Sequence, residues 1–93
     1  MRVISNKALT DFAQLHSQAG PPMQAWRKTI ETNAFLNSAD LKKAFNATDR
    51  AKGFCIFDIG GNKFRIVAAI HFNAQKLFVR HVFTHEESDA WNR

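Results

Sequence analysis

The most regular part of the sequence lies between residues 54 and 84, which read FCIFDIGGNKFRIVAAIHFNAQKLFVRHVFT. Three runs rich in β-branched and aromatic residues, 54–59, 63–72 and 76–84, are separated by Gly60-Gly61-Asn62 and by Asn73-Ala74-Gln75. Adjacent glycines between two such runs favour a two-residue hairpin turn, because the primed turns need positive φ. The stretch therefore predicts three consecutive antiparallel strands.

The length of the first turn sets the predicted register. A two-residue turn at Gly60-Gly61 pairs Ile59 with Asn62 and places Phe57 opposite Phe64. A second turn at Asn73-Ala74 places Ile66 opposite His81. One face is then apolar apart from His81, which we interpret as a core histidine, and the helices should pack there. The other face collects five cationic or titratable side chains, namely Lys63, Arg65, His71, Lys76 and Arg80.

The first half of the chain predicts helices. Residues 2–4 are compatible with a short opening strand, and Ser5 or Asn6 can cap a helix that ends at Gly20. A second helix is predicted from Pro22. Its apolar stripe comprises Met23, Trp26, Ile30 and Ala34.

Between residues 38 and 53 the pattern weakens. One short turn from Ser38 would present Leu41 and Phe45 inward, and the remainder is predicted as loop.

Together these predicted elements give the fold class α+β, in one domain over residues 1–93. Two N-terminal helices pack on one face of a small, mainly antiparallel sheet in the order β-α-α-β-β-β, and a short tail or helix ends the chain.

Charge is the first indication of function. The 13 Lys and Arg against eight Asp and Glu give a net charge of +5, and residues 42–80 carry eight basic side chains against two acidic ones. A clustered basic region favours a polyanionic partner, because each neutralised phosphate releases counterions. A merely solubilising surface is the alternative.

Cysteine content and hydropathy limit the class of protein. Cys55 is the single cysteine and lies in an apolar run, so no disulfide can form within the chain and no zinc-ligand spacing is present. The N-terminus turns polar within a few residues and shows no signal-peptide apolar stretch, and no run is long enough to span a membrane. We expect a cytoplasmic protein with no metal or other cofactor and no membrane partner.

Two blocks of sequence resemble the HigB toxin family of the RelE/ParE superfamily. The first is Phe57-Asp58-Ile59-Gly60-Gly61-Asn62-Lys63-Phe64-Arg65-Ile66-Val67, which resembles a strand, Gly-Gly-Asn and a basic strand of that family. The second runs from Phe78 to Asp89 and resembles its closing strand and Thr-His-x-Glu-Tyr-Asp ending. The spacing between the blocks also fits, and the resemblance covers nearly the whole chain.

The resemblance implies a RelE-like fold and a type II toxin–antitoxin system. It implies an mRNA interferase, an endoribonuclease that acts on messages in the A site of the 70S ribosome. A HigA-type helix-turn-helix antitoxin would silence the toxin, and the complex would bind operator DNA through the antitoxin.

The same resemblance assigns candidate site residues. Arg65 matches the strand arginine of the family, and a guanidinium can hold two phosphate oxygens at once. His85 matches the motif histidine, and an imidazole suits acid or base work near neutral pH. Lys42 and Lys43 resemble a basic pair that RelE-like proteins carry before the sheet, and in the predicted register Lys63 and Arg80 share the face of Arg65. With Lys76 and Trp91, these are the candidate RNA-binding residues. Ser88 replaces the motif tyrosine, and Trp91 would supply the stacking surface.

Three alternatives stay open. A RelE-like module could bind an antitoxin and RNA with weak or no nuclease activity, which Ser88 favours. A gyrase-directed toxin of the same fold would not need the basic sheet face. A generic single-strand RNA binder would use Phe54 and Phe78 for stacking.

Overall fold

A mixed five-stranded sheet forms the architecture, with the first three helices on one side and the last helix on the other. The computed structural model describes residues 1–46, 48–61 and 63–91. The strands are β1 (Arg2–Ile4), β2 (Thr48–Ala51), β3 (Phe54–Ile59), β4 (Phe64–His71) and β5 (Lys76–Thr84). The helices are α1 (Asn6–Leu15), α2 (Gly20–Glu31), α3 (Ser38–Ala44) and α4 (His85–Trp91), with a 3₁₀ turn at Ser17–Ala19.

The sheet order is β1-β5-β4-β3-β2. β1 runs parallel to β5, and the other neighbouring pairs are antiparallel. This arrangement confirms the predicted α+β class with a mainly antiparallel sheet. Of the predicted tail or helix after β5, the described residues form a helix.

The main core lies between the helices and one face of the sheet. α2 begins with prolines in its first turn, where their missing N–H groups cost little, and it buries Met23, Trp26 and Ile30. Ala34, predicted as part of this stripe, is exposed because α2 ends at Glu31. Leu41 is buried, and Phe45 packs against the core, as predicted.

The helix starts differ in part from expectation. Ser5 occupies the N-cap position of α1 but adopts a left-handed conformation, and its side chain makes no capping hydrogen bond. α2 starts at Gly20 rather than at Pro22. The turn predicted at Ser38 is a two-turn helix, capped by Asn37, whose side chain accepts from the Asp40 N–H at 3.0 Å.

The strand β2 was not predicted. It is a four-residue edge strand that pairs only with β3, and Asp49 and Arg50 are exposed. Charged side chains on a short edge strand hide the alternating pattern by which strands are detected. Lys52 and Gly53 join it to β3 with positive φ at both positions, as a two-residue hairpin turn requires.

The predicted register between β3 and β4 was wrong by two residues. Ile59 pairs with Phe64 and Phe57 with Ile66. The predicted partner Asn62 lies outside the described residues. Because side chains alternate with a period of two, this shift leaves every residue on its predicted face.

A β-bulge changes the register between β4 and β5. Ala68 pairs with Val79 and Ile70 with Leu77, as predicted, but beyond the irregularity at Val67/Ala68 the partners shift by one residue. His81 therefore pairs with Val67 and is exposed, which makes its interpretation as a core histidine wrong. Val82 replaces it opposite Ile66 and packs against the core.

We use the term open face for the side of the sheet opposite α1 and α2, which carries Asp58, Arg65, His71, His81 and Phe83. Two residues there, Ile56 and Val67, are buried although they lie outside the main core cluster. α4 packs against β4 and β5. The open face therefore has a small apolar centre of its own beside α4.

Candidate active site

Arg65 lies at the centre of the candidate site, on the open face of β4. Its register partner on β3 is Asp58, and on β5 it is Phe83. The Arg65 Nε atom lies 2.9 Å from Asp58 Oδ1, and the two side chains are only 17% and 21% exposed. This contact is an ion pair between two side chains that are both largely shielded from water. Asp58 therefore fixes the stem of the guanidinium and balances its charge.

The other end of the guanidinium meets His85. Arg65 Nη2 lies 3.3 Å from His85 Nδ1. A guanidinium can only donate, so Nδ1 must accept and the neutral ring carries its proton on Nε2. Nε2 in turn lies 3.4 Å from Asp89 Oδ2. Asp58, Arg65, His85 and Asp89 thus form a continuous row of polar contacts.

The start of α4 places His85 in this row. Thr84 Oγ1 accepts from the Glu87 N–H at 3.3 Å, and Glu87 Oε1 accepts from the Thr84 N–H at 2.8 Å. This reciprocal pair is a capping box, which satisfies two free donors at a helix N-terminus. His85, the next residue, also donates its backbone N–H to the Lys63 carbonyl at 3.0 Å. Its backbone is therefore held from two sides.

Ser88 does not contribute its hydroxyl to this surface. Its exposed fraction is 1%, whereas the side chains of His85 and Asp89 are 41% and 56% exposed. The serine lies on the side of α4 that packs inward. A small side chain at this position lets the helix lie close to the sheet.

Comparison with known proteins identifies the family. Residues 19–91 match the family described as HigB toxin, the RelE-like toxic component of a toxin–antitoxin system. The chain belongs to the HigB toxin family. The mRNA interferase toxin HigB of Escherichia coli K12 is 36% identical over 92 residues, covering 96% of this chain and 88% of that protein. The mRNA interferase HigB of Shigella flexneri shows the same identity and coverage.

A more distant relative also matches over its length. The mRNA interferase HigB of Escherichia coli O6:H1 (strain CFT073) is 26% identical over 96 residues, covering all of this chain and 93% of that protein. Membership of the HigB family makes the protein the toxic half of a pair whose other half is an antitoxin. The architecture described above is consistent with the RelE-like fold that this family implies.

Two of the predicted RNA-binding residues of this HigB-family chain, Lys63 and Trp91, lie near Arg65 and His85, and Arg80 lies beyond His81 on β5. Lys63 belongs to the turn before β4, and its side chain is exposed. Arg80, at the bulge of β5, is exposed and extends over the Phe78 ring at 5.7 Å. Trp91 ends α4 and is half-buried among other rings of the open face.

The other three predicted RNA-binding residues lie farther away. Lys76 begins β5 seven residues before Phe83, roughly 20 Å along the strand. Lys42 and Lys43 are exposed on the last turn of α3. Lys42 lines a cavity of about 330 Å³ with Ser38, Thr48, Arg50 and Cys55, beside the edge strand β2. None of the six assignments is tested by the geometry alone, and all six stay predictions.

The structure adds residues that the sequence argument missed. Asp58 and Asp89 appeared only as members of the two HigB-like blocks, although both belong to the row around Arg65. The capping box was present in the sequence as Thr84-x-x-Glu87, a spacing that by itself indicates a helix start. This signal could have predicted α4 and the position of His85 as its first residue.

Within residues 1–46, 48–61 and 63–91, no group of three or more His, Cys, Asp or Glu side chains is arranged to hold a metal ion. In the same part of the chain, no helix has the length and apolar character to cross a membrane.

Cys55 is buried and free, and burial raises the pKa of its thiol above the ordinary 9.0, an effect that Arg50 partly offsets.

Proposed function

We propose that the chain is a cytoplasmic mRNA interferase, an endoribonuclease that inhibits translation by cutting messages. The observation that carries the proposal is the contact of Arg65 with His85 on the open face, which joins a phosphate-binding group to a proton-transferring group. Curated relatives of the same family are named mRNA interferases, which supports the same activity here.

The proposed reaction is an attack of the RNA 2′-hydroxyl on the adjacent phosphate. The 2′ oxygen forms a bond to phosphorus, and the bond from phosphorus to the 5′ oxygen breaks. Arg65 would stabilise the added negative charge through its Nη donors. A phosphate that engages Nη2 competes with His85 Nδ1 for the same donor, so binding would free the Nδ1 lone pair to accept the 2′ proton. A proton from water would neutralise the departing 5′ oxygen. In this proposal no step requires a metal ion.

The partners follow from the same proposal. Lys63, Arg80 and the more distant Lys42, Lys43 and Lys76 would hold backbone phosphates, and Trp91 would contact a base. We further propose that the message is bound in the A site of the 70S ribosome. A HigA-type helix-turn-helix antitoxin would neutralise the toxin, and the complex would bind operator DNA through that antitoxin.

The test compares two double variants in growing bacteria without antitoxin. Arg65→Ala/His85→Ala removes the central pair. The control, Arg27→Ala/His16→Ala, also removes one arginine and one histidine. Arg27 lies on α2 and His16 follows α1, both away from the open face. Message 5′ ends are mapped by primer extension. We expect in-frame cuts and growth arrest with the wild type and the control variant, and neither with Arg65→Ala/His85→Ala. If messages stay intact when the folded, soluble wild-type protein is present, the nuclease proposal is refuted.

A second candidate is a RelE-like module that binds antitoxin and RNA with weak or no nuclease activity. Ser88 favours it, since its buried hydroxyl cannot replace the motif tyrosine in stacking or proton transfer. Under this candidate the wild type would bind RNA in vitro and leave messages uncut. Mapped in-frame cuts would eliminate it.

A further inference from the structure

Four rings form a cluster beside Arg65 on the open face. We use the term aromatic patch for Phe54, His81, Phe83 and Trp91. The His81 and Phe83 rings are stacked, with centroids 5.2 Å apart and an interplanar angle of 11°. Trp91 lies 5.7 Å from His81, 5.9 Å from Phe83 and 6.2 Å from Phe54, measured between ring centroids.

The aromatic patch is not part of the main core. None of its four members belongs to the core cluster between the helices and the sheet. His81 is exposed, and the other three are half-buried. The bulge in β5 is the reason that His81 points to this side, because without it the histidine would face the core. The chain thus holds a ring at the surface where a regular strand would have buried it.

The patch adjoins the candidate phosphate site. Phe83 is the register partner of Arg65, so their Cβ atoms lie about 5 Å apart on the same face. The His81 ring is stacked on Phe83 and extends the aromatic surface away from Arg65. A phosphate held by Arg65 would therefore have aromatic surface within reach of its neighbouring nucleotide.

Positive charge lies against the same rings. Lys52 Nζ lies 4.6 Å from the Trp91 ring centroid, and the ammonium also donates to the Trp91 carbonyl. Arg80 is exposed next to His81 in β5. Two of the acidic groups on this side contact the active-site row, Asp58 at Arg65 and Asp89 at His85, and Asp49, on β2, is separated from His81 by β3 and β4. Rings with adjacent cations suit a nucleotide, which offers a π-face and a phosphate together.

We propose that the aromatic patch is a base-stacking site for the nucleotide next to the phosphate that Arg65 holds, with His81 as its outermost ring. The inference rests on the proposed function, since it takes Arg65 as the phosphate site. Stacking on aromatic rings is tolerant of base identity, so the patch would position single-stranded RNA without selecting its sequence.

The experiment measures binding, not cleavage. The probe is a fluorescein-labelled hexanucleotide of 2′-O-methyl RNA, which lacks the attacking hydroxyl and cannot be cut by the proposed reaction. A second probe carries abasic residues at its two central positions. Fluorescence anisotropy gives both dissociation constants, and their ratio isolates the contribution of the bases. We expect the wild type to bind the complete probe about tenfold more tightly.

Three variants assign this ratio to the patch. His81→Ala removes the outer ring, and we expect its ratio to fall toward one. His81→Tyr keeps a ring and should retain most of the ratio. His16→Ala is the matched control, because His16 also stacks on a phenylalanine, Phe12, with centroids 4.4 Å apart on the helical side. Its ratio should equal that of the wild type, and thermal unfolding confirms that all four proteins are folded.

Each contrary result has a distinct meaning. An unchanged ratio in folded His81→Ala would overturn the inference and leave the rings as an anchor for α4. An unchanged ratio with weakened antitoxin binding would overturn it in favour of a protein contact. Message cutting by a wild type without base-dependent binding would refute the stacking site and leave the proposed function standing. Base-dependent binding by a wild type that cuts no message would support the stacking site and refute the nuclease.

Discussion

Arg65 and His85 are separated by 20 positions in sequence, yet Arg65 Nη2 lies 3.3 Å from His85 Nδ1. β4 supplies the arginine, and the first residue of α4 supplies the histidine. The contact exists because β5 returns alongside β4 and ends in a helix beside Arg65. Because a guanidinium can only donate, the contact assigns Nδ1 of the neutral imidazole as the acceptor.

The first prediction concerns the shape of the cation at position 65. Arg65→Lys keeps the charge but replaces a planar two-point donor with a single ammonium. We expect message cleavage to slow by about a hundredfold, the cost of losing one well-placed donor to a developing anion. The rate of message loss after induction measures the effect, with Arg27→Lys as the matched control. Cleavage at the wild-type rate in Arg65→Lys would show that charge alone suffices.

The second prediction tests Asp58 as a positioning residue. Asp58→Asn keeps the size of the side chain and removes the negative charge that holds Arg65. We expect cleavage to slow about tenfold through misplacement of the guanidinium. Unfolding in urea should show a loss of about 2 kcal/mol, less than for a fully buried pair because both side chains keep some exposure. Asp49→Asn, on the exposed edge strand, should change neither quantity; equal effects in both variants would contradict the assigned role.

The third prediction concerns the capping box. Thr84→Ala removes the oxygen that accepts from the Glu87 N–H, and we expect a loss of about 1 kcal/mol in the free energy of unfolding. α4 should fray at its first turn, so amide exchange of its backbone should speed up and cleavage should slow. Thr84→Ser keeps the hydroxyl and should behave as the wild type. Protected amides in Thr84→Ala would show that packing alone holds the helix start.

The fourth prediction concerns Gln75, which ties two loops together. Its Nε2 donates to the carbonyls of Phe35 and Phe72, each at 2.6 Å, and its Oε1 accepts from the Phe35 N–H at 3.2 Å. Gln75→Ala deletes all three bonds and should lower the free energy of unfolding by about 2 kcal/mol. Urea denaturation measures the change. As the control, Gln14→Ala changes an exposed side chain, and its free energy of unfolding should lie within about 0.5 kcal/mol of the wild-type value. A change as small as this in Gln75→Ala would refute the bridging role.

The fifth prediction concerns pH and Cys55. Burial raises the pKa of this thiol above 9.0, and Arg50 partly lowers it again. The thiol should therefore stay protonated and react slowly with alkylating reagents at pH 8. Above pH 9.0 the unfolded thiol ionises first, so stability should fall as pH rises toward the higher pKa of the folded state. The wild type should show a steeper loss than Cys55→Ala in urea titrations; parallel curves would contradict the pKa direction.

Much of the fold followed from local patterns. The alternation in β3 and β4 placed Phe57, Phe64 and Ile66 on the core face and Arg65 on the other. These assignments survived a turn two residues longer than expected, because an even shift preserves which side each residue faces. The spacing of Met23, Trp26 and Ile30 also identified the buried side of α2 correctly.

The remaining features depended on pairing between distant segments. β2 is a strand because β3 offers it hydrogen-bonding groups, and its own side chains are mostly exposed. The bulge in β5 moved His81 by one position, and an odd shift reverses the face of every residue beyond it. No local pattern around His81 signals that change.

The sequence by itself determined the α+β class, the faces of the strands before the bulge and the residue types available for chemistry. Side-chain periodicity and turn residues are local properties, so they could be recognised without the fold. The tertiary structure decided that Asp58, Arg65, His85 and Asp89 form one row and that His81 joins the rings beside it. Those contacts depend on strand register and on the direction in which α4 leaves the sheet, and both are set by packing between segments far apart in the chain.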